Sequence, residues 1–109
     1  MRRGEVWWVD FDPSLGGEIK KIRPAAIVSI DASNRNLNRV QVVPITSKAT
    51  YIYPSEASIL LNGERRKALA DQISTVSKQR LKSKLGALSA EDVRSVERAI
   101  AFQFGLTIL

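Results

Sequence analysis

The first three quarters of the chain alternates short apolar runs with turn-forming residues, which is typical of β-strands. Asn34, Asn36 and Asn38 predict one turn, because asparagine tolerates positive φ, and Asn62-Gly63 predicts a tight hairpin turn. Short strands at this spacing predict a small antiparallel barrel. The runs rich in β-branched and aromatic residues predict five strands, at residues 5–11, 25–30, 40–45, 57–61 and 67–75.

The C-terminal segment changes to a helical period. Ser89 is the expected N-cap, with Asp92 as a capping-box-like partner, Leu88 and Val93 as a hydrophobic staple, and Gly105 just past the helix end. The fold class predicted is therefore mainly β with a C-terminal α-helix. Steps of three, four and four residues place one apolar stripe on the helix, which we expect to pack on the sheet: Val93, Val96, Ile100 and Phe104.

Length and composition restrict the chemistry available. A chain of 109 residues predicts a single domain, residues 1–109. The absence of cysteine excludes a disulfide scaffold, a zinc ribbon and a thiol nucleophile. The absence of histidine excludes a Ser-His-Asp triad and histidine acid/base catalysis.

The charge balance points to a polyanionic partner. A net charge of +6 and a pI near 10.1 favour nucleic acid. The alternative is a basic surface that only keeps the protein soluble. Because neither a signal peptide nor a membrane-spanning run is recognisable, we expect a cytoplasmic protein without membrane association.

Three polar segments could bind an anion or do chemistry. Residues 14–21 predict a mobile loop with a Gly-Gly pair, and Lys20, Lys21 and Arg23 could close on a phosphate. The segment 46–48, Thr-Ser-Lys, follows a strand, where it could bind an anion or form a solvated turn. The pair 71–72, Asp-Gln, interrupts an apolar run, so it is either a structural hydrogen-bonding pair or a site that orients a catalytic group and reads a base edge.

A metal site, stacking aromatics and a basic tip are further possibilities. Asp10, Asp12 and the Glu18-x-Lys20 element could form the Mg²⁺ clamp of a nuclease, although a strand end followed by a loop explains them more simply. Trp7 and Trp8 could stack on bases; since neighbouring residues point to opposite faces of a strand, we expect one buried and one exposed ring. The run 65–67, Arg-Arg-Lys, predicts a solvated tip that extends the basic surface.

Taken in order, these segments resemble the MazF/PemK/Kid toxin family. The resemblance covers almost the whole chain. An N-terminal block within residues 3–25, a second at 43–46 and a third at 68–73 occur in the family's order, which is more specific than any single motif. The matching segments are Arg3-Gly4-Glu5-Val6-Trp7, Asp10-Phe11-Asp12-Pro13, Gly17-Glu18, Arg23-Pro24-Ala25, Val43-Pro44-Ile45-Thr46, Ala68-Leu69-Ala70-Asp71-Gln72-Ile73 and Leu85-Gly86-Ala87-Leu88-Ser89.

This resemblance implies an SH3-like antiparallel β-barrel with a C-terminal helix, a homodimer and a cognate antitoxin. It implies a sequence-specific endoribonuclease that cuts single-stranded RNA without a metal or another cofactor, leaving a 2′,3′-cyclic phosphate and a 5′-hydroxyl. The family's catalytic Arg and Thr fall on Arg23 and Thr46. Arg23 suits the charged phosphorane, and Thr46 can donate to a phosphate oxygen.

The general base remains open among Asp71, Glu18, a water molecule and an arginine in an unusual environment. Relatives often carry Ser at the position of Gly17, and some carry His or Arg where this chain has Ile22 and Leu69. The expected RNA contacts are Gly17, Lys20, Lys21, Ser47, Lys48 and Gln72.

Three alternative functions stay open from the sequence. The first is a toxin similar to CcdB, which has the same fold and binds DNA gyrase without cutting RNA. The second is an SH3-like RNA-binding module that does not catalyse cleavage. The third is the metal-dependent nuclease described above.

Overall fold

The computed structural model describes residues 1–11, 22–48 and 50–107. Within these residues the chain is mainly β with a C-terminal helix, as predicted. Single 3₁₀ turns lie at Ala70–Gln72 and Lys78–Arg80. The elements in chain order are β1 (Glu5–Asp10), β2 (Ile22–Ile27), α1 (Asp31–Asn36), β3 (Arg39–Thr46), β4 (Glu56–Leu61), β5 (Glu64–Leu69), β6 (Ser74–Ser77), β7 (Leu81–Ala87) and α2 (Ala90–Gln103).

Strand β3 is the centre of a curled antiparallel sheet. The strand order is β4-β5-β3-β2-β1-β7, and β6 also pairs with β3. One edge of β3 pairs with β2, whereas the other edge pairs with β6 near its start and with β5 at its end. Both ends of β3 are therefore held by neighbouring strands.

The predicted single strand 67–75 is wrong, because a 3₁₀ turn divides it into β5 and β6. From the pair Val42–Ser74 to the pair Ile45–Ala68, β3 advances three residues while its partners advance six. The turn Ala70–Gln72 accommodates the three extra residues. The polar pair Asp71 and Gln72 thus lies on an exposed turn rather than inside an apolar strand.

Two apolar clusters occupy opposite faces of the sheet. The first is packed against α2 and includes Val43 and Ile45 of β3. The second includes Val40 and Val42 of the same strand, together with Ala25 of β2. Because alternate residues of a strand point to opposite faces, membership of these clusters shows on which face each strand residue lies.

Helix α2 begins and ends as its sequence predicts. The Ser89 hydroxyl accepts a hydrogen bond from the Asp92 N–H at 3.1 Å. Gly105 has φ +67°, and its N–H donates to the Phe102 carbonyl at 3.2 Å while the Leu106 N–H donates to the Ala101 carbonyl at 2.8 Å. These two bonds form a Schellman motif, which satisfies carbonyls at the helix end.

Two details of the predicted helix are wrong. The Asp92 carboxylate does not complete a capping box: it accepts the Leu60 N–H at 2.9 Å and so ties the helix to β4. Phe104 is 56% exposed, because the stripe leaves the sheet at the last turn, whereas Val96, Ala99 and Ala101 are buried.

Local predictions elsewhere have mixed outcomes. Asn62 and Gly63 have φ of 50° and 83°, as the predicted hairpin turn requires. The asparagine-rich turn is instead the short helix α1, in which buried Asn34 bonds the Ser29 hydroxyl and donates to the Ser29 carbonyl. Strand β7 has no counterpart among the predicted strands, because its alternation is hidden by exposed polar residues.

The prediction of one exposed and one buried tryptophan is confirmed for the exposed ring but wrong for the other, which is only half-buried. Trp7 is half-buried against the second cluster, and its ring N–H donates to Glu5 Oε1 at 2.9 Å. Trp8 is exposed. None of the helices in the described ranges is long and apolar enough to span a membrane.

Candidate active site

Arg23 and Thr46 lie at adjoining ends of two paired strands. The register between β2 and β3 pairs Ala25 with Pro44 and Ala26 with Val43. The pairing ends at Ala25 and Pro44, and Arg23 and Thr46 each lie two residues beyond it, at the same end of the two strands. Both residues also project from the face of the second cluster, since Arg23 alternates with Ala25 and Thr46 with Val42.

Arg23 is half-buried at the end of β2. Across the described ranges its guanidinium makes no side-chain hydrogen bond or ion pair. A half-buried guanidinium is well suited to bind a phosphate, because its planar fork matches two phosphate oxygens.

Thr46 opens a turn that the next two residues continue. Its Oγ1 accepts the Lys48 backbone N–H at 3.3 Å, so the hydroxyl proton is left to donate elsewhere. Ser47 and Lys48 are exposed beside it. The segment 46–48 therefore forms the solvated turn that was one of its two predicted structures. The hydroxyls of Thr46 and Ser47 and the ammonium of Lys48 remain accessible to an anion.

Lys67 of β5 lies opposite Thr46 on the other edge of β3. Its Nζ donates to Glu56 Oε1 at 3.0 Å and to the Tyr51 carbonyl at 3.2 Å. The Lys67 and Glu56 side chains are only 11% and 13% exposed, so this ion pair is largely removed from water.

The environment of Glu56 favours its charged form. Burial alone would raise the pKa of Glu56, but hydrogen bonds from the Tyr53 N–H and from Lys67, with the charge of Lys67, outweigh it and lower the pKa. The Glu56 carboxylate is thus kept charged by the groups that hydrogen-bond it.

The predicted basic tip at 65–67 divides into three environments. Arg65 is exposed and donates to the Ser58 hydroxyl at 3.1 Å, and Arg66 pairs with Glu64 at 3.1 Å. Lys67 is buried in its ion pair, so the expectation of a solvated tip is wrong for this residue. Alternation places Arg65 on the same face as Lys67, which extends positive charge away from Thr46.

Asp71 and Gln72 are exposed on the turn between the two strands that pair with β3. In the part of the chain that the structure describes, neither side chain makes a hydrogen bond. The expected structural hydrogen-bonding pair is therefore wrong within these residues, and both side chains can reach a ligand.

Several predicted site residues lie outside the described residues. These are Asp12, Gly17, Glu18, Lys20 and Lys21. Among the described residues, no group of three acidic side chains could hold a metal ion. The proposed Mg²⁺ clamp also requires Asp12 and Glu18.

Comparison with known proteins identifies the family. The model of the PemK-like, MazF-like toxins of type II toxin-antitoxin systems matches residues 2–104. The chain belongs to this family. It is 35% identical over 117 residues to Endoribonuclease MazF9 of Mycobacterium tuberculosis, covering 97% of this chain and 98% of that protein.

Solved structures agree with the family in fold. An endoribonuclease in complex with its cognate antitoxin from Mycobacterial species has a TM-score of 0.82 and 25% identity, covering 100% of this chain and 99% of that chain. MazF from Deinococcus radiodurans has a TM-score of 0.82 and 27% identity, covering 97% of each chain. The predicted SH3-like barrel with a C-terminal helix is therefore confirmed.

Sequence reasoning on this MazF-like chain missed the Lys67–Glu56 pair and the tyrosines beside it. The run 65–67 resembles an exposed tip because three cations follow a turn. Only the pairing of β3 with β5 brings Lys67 next to Thr46, and only the pairing of β4 with β5 brings Glu56 close. The available signal was period-two alternation through Lys67, Ala68 and Leu69, which requires the strand partners to be known.

Proposed function

We propose that this protein is the toxin of a type II toxin-antitoxin system and a sequence-specific, metal-independent endoribonuclease for single-stranded RNA. Family membership and the activity named for its relatives support the proposal. The placement of Arg23 and Thr46 at the same end of β2 and β3, on one face of the sheet, is the observation that carries it. It joins a phosphate-binding cation to a hydroxyl donor on one face of the sheet.

The reaction we propose is attack of the ribose 2′-oxygen on the adjacent phosphorus. The new bond joins O2′ to phosphorus, and the bond from phosphorus to O5′ breaks. A base removes the proton of the 2′-hydroxyl, and an acid delivers a proton to the leaving O5′. No water is consumed, and the products are a 2′,3′-cyclic phosphate and a 5′-hydroxyl.

In this mechanism Arg23 has two roles, charge stabilisation and proton donation, whereas Thr46 has one. As the reaction proceeds, negative charge collects on the phosphorane oxygens, and a half-buried guanidinium stabilises that charge more than it stabilises the starting phosphate. Arg23 can also supply the proton to O5′. Thr46 donates its hydroxyl proton to a nonbridging oxygen, while its own oxygen accepts the Lys48 N–H.

We do not assign the proton acceptor for the 2′-hydroxyl to Glu56, because its carboxylate is largely buried and is hydrogen-bonded to Lys67 and to the Tyr53 N–H. Asp71, Glu18, a water molecule and an arginine in an unusual environment remain the options. The proposed RNA contacts are Gly17, Lys20, Lys21, Ser47, Lys48 and Gln72. Of these, Ser47, Lys48 and Gln72 are exposed in the structure.

We further propose that the protein acts in the cytoplasm as a homodimer bound and inhibited by a cognate antitoxin. A solved relative is an endoribonuclease in complex with its cognate antitoxin. An acidic segment of the antitoxin would complement the net charge of +6.

The decisive variants are Arg23→Ala and Thr46→Val, assayed on a long mixed-sequence RNA. Loss of one preorganised charge-stabilising group typically costs about 10²- to 10³-fold in rate, and we expect that loss for each variant. Arg94→Ala is the matched control, because it removes an exposed arginine from α2 and should keep the wild-type rate. Circular dichroism and sedimentation check that fold and assembly are retained.

Near-normal cleavage by folded Arg23→Ala would contradict this active site. Absence of cleavage by the wild-type protein, with or without Mg²⁺, would instead support the gyrase-binding or RNA-binding alternatives. Cleavage that needs Mg²⁺ would support the metal-dependent nuclease.

A further inference from the structure

Two tyrosines between β3 and β4 project into solvent. Tyr51 is 70% exposed and Tyr53 58% exposed, although burying an aromatic ring is strongly favourable. Their ring centroids are 4.8 Å apart at an interplanar angle of 70°, an edge-to-face contact. The two rings therefore hold each other while leaving aromatic surface open to solvent.

The backbone around the tyrosines is fixed by the buried ion pair. Lys67 Nζ donates to the Tyr51 carbonyl at 3.2 Å, and Glu56 Oε1 accepts the Tyr53 N–H at 3.0 Å. The Glu56 N–H donates to the Tyr53 carbonyl at 2.8 Å, and Lys67 Nζ lies 6.0 Å from the centre of the Tyr53 ring. An irregular segment is thus held by two contacts to Lys67 of β5 and two hydrogen bonds to Glu56 of β4.

This anchor attaches the tyrosine segment to the cross-strand partner of Thr46. Lys67 is the direct cross-strand partner of Thr46 in the β3–β5 ladder, on the face that also carries Arg23. The Lys67 ammonium lies 6.0 Å from the centre of the Tyr53 ring, and Tyr51 packs against Tyr53, so Lys67 connects both rings to the strand position opposite Thr46.

A buried ion pair is an unusual choice if its only purpose is stability. Removing both charges from water is costly, and apolar residues of similar size often stabilise a protein equally well. The pair fixes the backbone of the tyrosine segment, because its ammonium donates to the Tyr51 carbonyl and its carboxylate accepts the Tyr53 N–H.

Resting on the proposed function, we propose that Tyr51 is a stacking platform for a nucleobase next to the cleaved phosphate. Tyr53 braces the Tyr51 ring edge to face, and the Lys67–Glu56 pair positions both. Single-stranded RNA presents unstacked bases, and aromatic side chains bind them by stacking on their faces. The platform selects RNA whose base at this position is unpaired and stacks well.

The test uses an RNA oligonucleotide that contains the mapped cut sequence, with 2′-deoxyribose at the cleaved position so that it binds without reacting. Fluorescent 2-aminopurine replaces, in turn, each base flanking that position. Stacking on Tyr51 quenches the fluorescence of 2-aminopurine. The wild-type protein should therefore quench 2-aminopurine more at one flanking position than at the others. Tyr51→Ala should abolish that quenching and weaken binding about 5- to 150-fold, whereas Tyr53→Ala should reduce both effects partly.

Tyr51→Phe is the matched control, because it keeps the ring and removes the hydroxyl, and it should retain quenching and affinity. Phe102→Ala removes an exposed ring from α2 and should also leave both unchanged. Lys67→Met should lower quenching at the same position, because the platform loses its anchor.

Two results would overturn the platform. The first is unchanged quenching and affinity in folded Tyr51→Ala, and the second is equal loss in Tyr51→Ala and Tyr51→Phe, which would assign the effect to the hydroxyl. Both presuppose that the wild-type protein cleaves RNA. If it does not, no cut sequence can be mapped and the proposed function fails first. Titration with a mixed-sequence single-stranded RNA then tests the platform separately: weaker binding by Tyr51→Ala than by Tyr51→Phe would support an RNA-stacking surface, and equal binding would overturn it.

Discussion

Individual side chains in this protein take their roles from their cross-strand partners. Lys67 follows two arginines that are more exposed, yet it is buried because Glu56 and the Tyr51 carbonyl satisfy its ammonium. Glu5 is a second case, since it accepts hydrogen bonds from the Trp7 ring and the Arg2 N–H and pairs with Lys84 at 3.2 Å. Each charge is tolerated because donors or acceptors replace the lost water.

Glu5 should make stability depend on pH in the acid range. Burial alone would raise its pKa, but the bonds from Trp7, Arg2 and Lys84 outweigh it and lower the pKa from 4.5 to about 2. A lowered folded-state pKa contributes stability that is fully present above the unfolded value and is lost as pH falls from 4.5 towards 2. Glu5→Gln should therefore lower the free energy of unfolding by about 1–3 kcal/mol at pH 7 and by less at pH 3.

Urea unfolding of wild type and Glu5→Gln at pH 7, 5 and 3 measures this difference. Glu64→Gln is the control, because Glu64 is 73% exposed in a surface pair and should change stability little at any pH. A Glu5→Gln difference that is the same at all three pH values would contradict the assigned pKa.

At the scale of elements, short local signals determine how each element ends, and tertiary contacts determine where it lies. The Ser89 cap and the Gly105 motif fix the ends of α2, while the Asp92 carboxylate bonds the Leu60 N–H and sets the helix on β4. Similarly, the Ala70–Gln72 turn lets β3 exchange β6 for β5 and so brings Lys67 to Thr46.

Removing the helix cap should destabilise the protein measurably. Ser89→Ala leaves the Asp92 N–H without its acceptor, and we expect a loss of about 1 kcal/mol in the free energy of unfolding. Ser95→Ala, inside α2, is the matched control and should be neutral or slightly stabilising, since alanine favours helix. Chemical denaturation compares the two variants, and equal effects would contradict the capping role.

At the scale of the whole molecule, much of the fold could be predicted because its signals are local. The Asn62-Gly63 turn and the helix ends at Ser89 and Gly105 are each encoded within a few residues. The division of residues 67–75 could not be predicted, because it depends on the register of two other strands against β3. Hydrogen bonds formed with distant residues determine such features.

In the candidate site, too, some features could be predicted from the sequence and others depend on how distant strands pair. Arg23 and Thr46 could be proposed from a family resemblance, but their position at the same end of two paired strands follows only from the β2–β3 register. The platform at Tyr51 had no signal in the sequence pattern, because its anchor joins residues from three separate segments.

Binding of RNA should depend on salt in proportion to the phosphates contacted. About three phosphate contacts on a single strand predict a slope near −2 when the logarithm of the binding constant is plotted against that of salt concentration. Arg23→Ala should reduce the size of this slope by about 0.7, because one contact is lost. Titration of the 2′-deoxy oligonucleotide at several salt concentrations measures both slopes. An unchanged slope in the variant would show that Arg23 does not contact an RNA phosphate.

The central claim is metal-free cleavage of RNA at a site built on Arg23 and Thr46. The most direct measurement incubates the purified protein with a long mixed-sequence RNA in excess EDTA and maps every new 5′ end. We predict discrete cuts within one short sequence, with 5′-hydroxyl ends, that disappear in the Arg23→Ala variant. Cuts that require added Mg²⁺, or no cuts under either condition, would contradict the account.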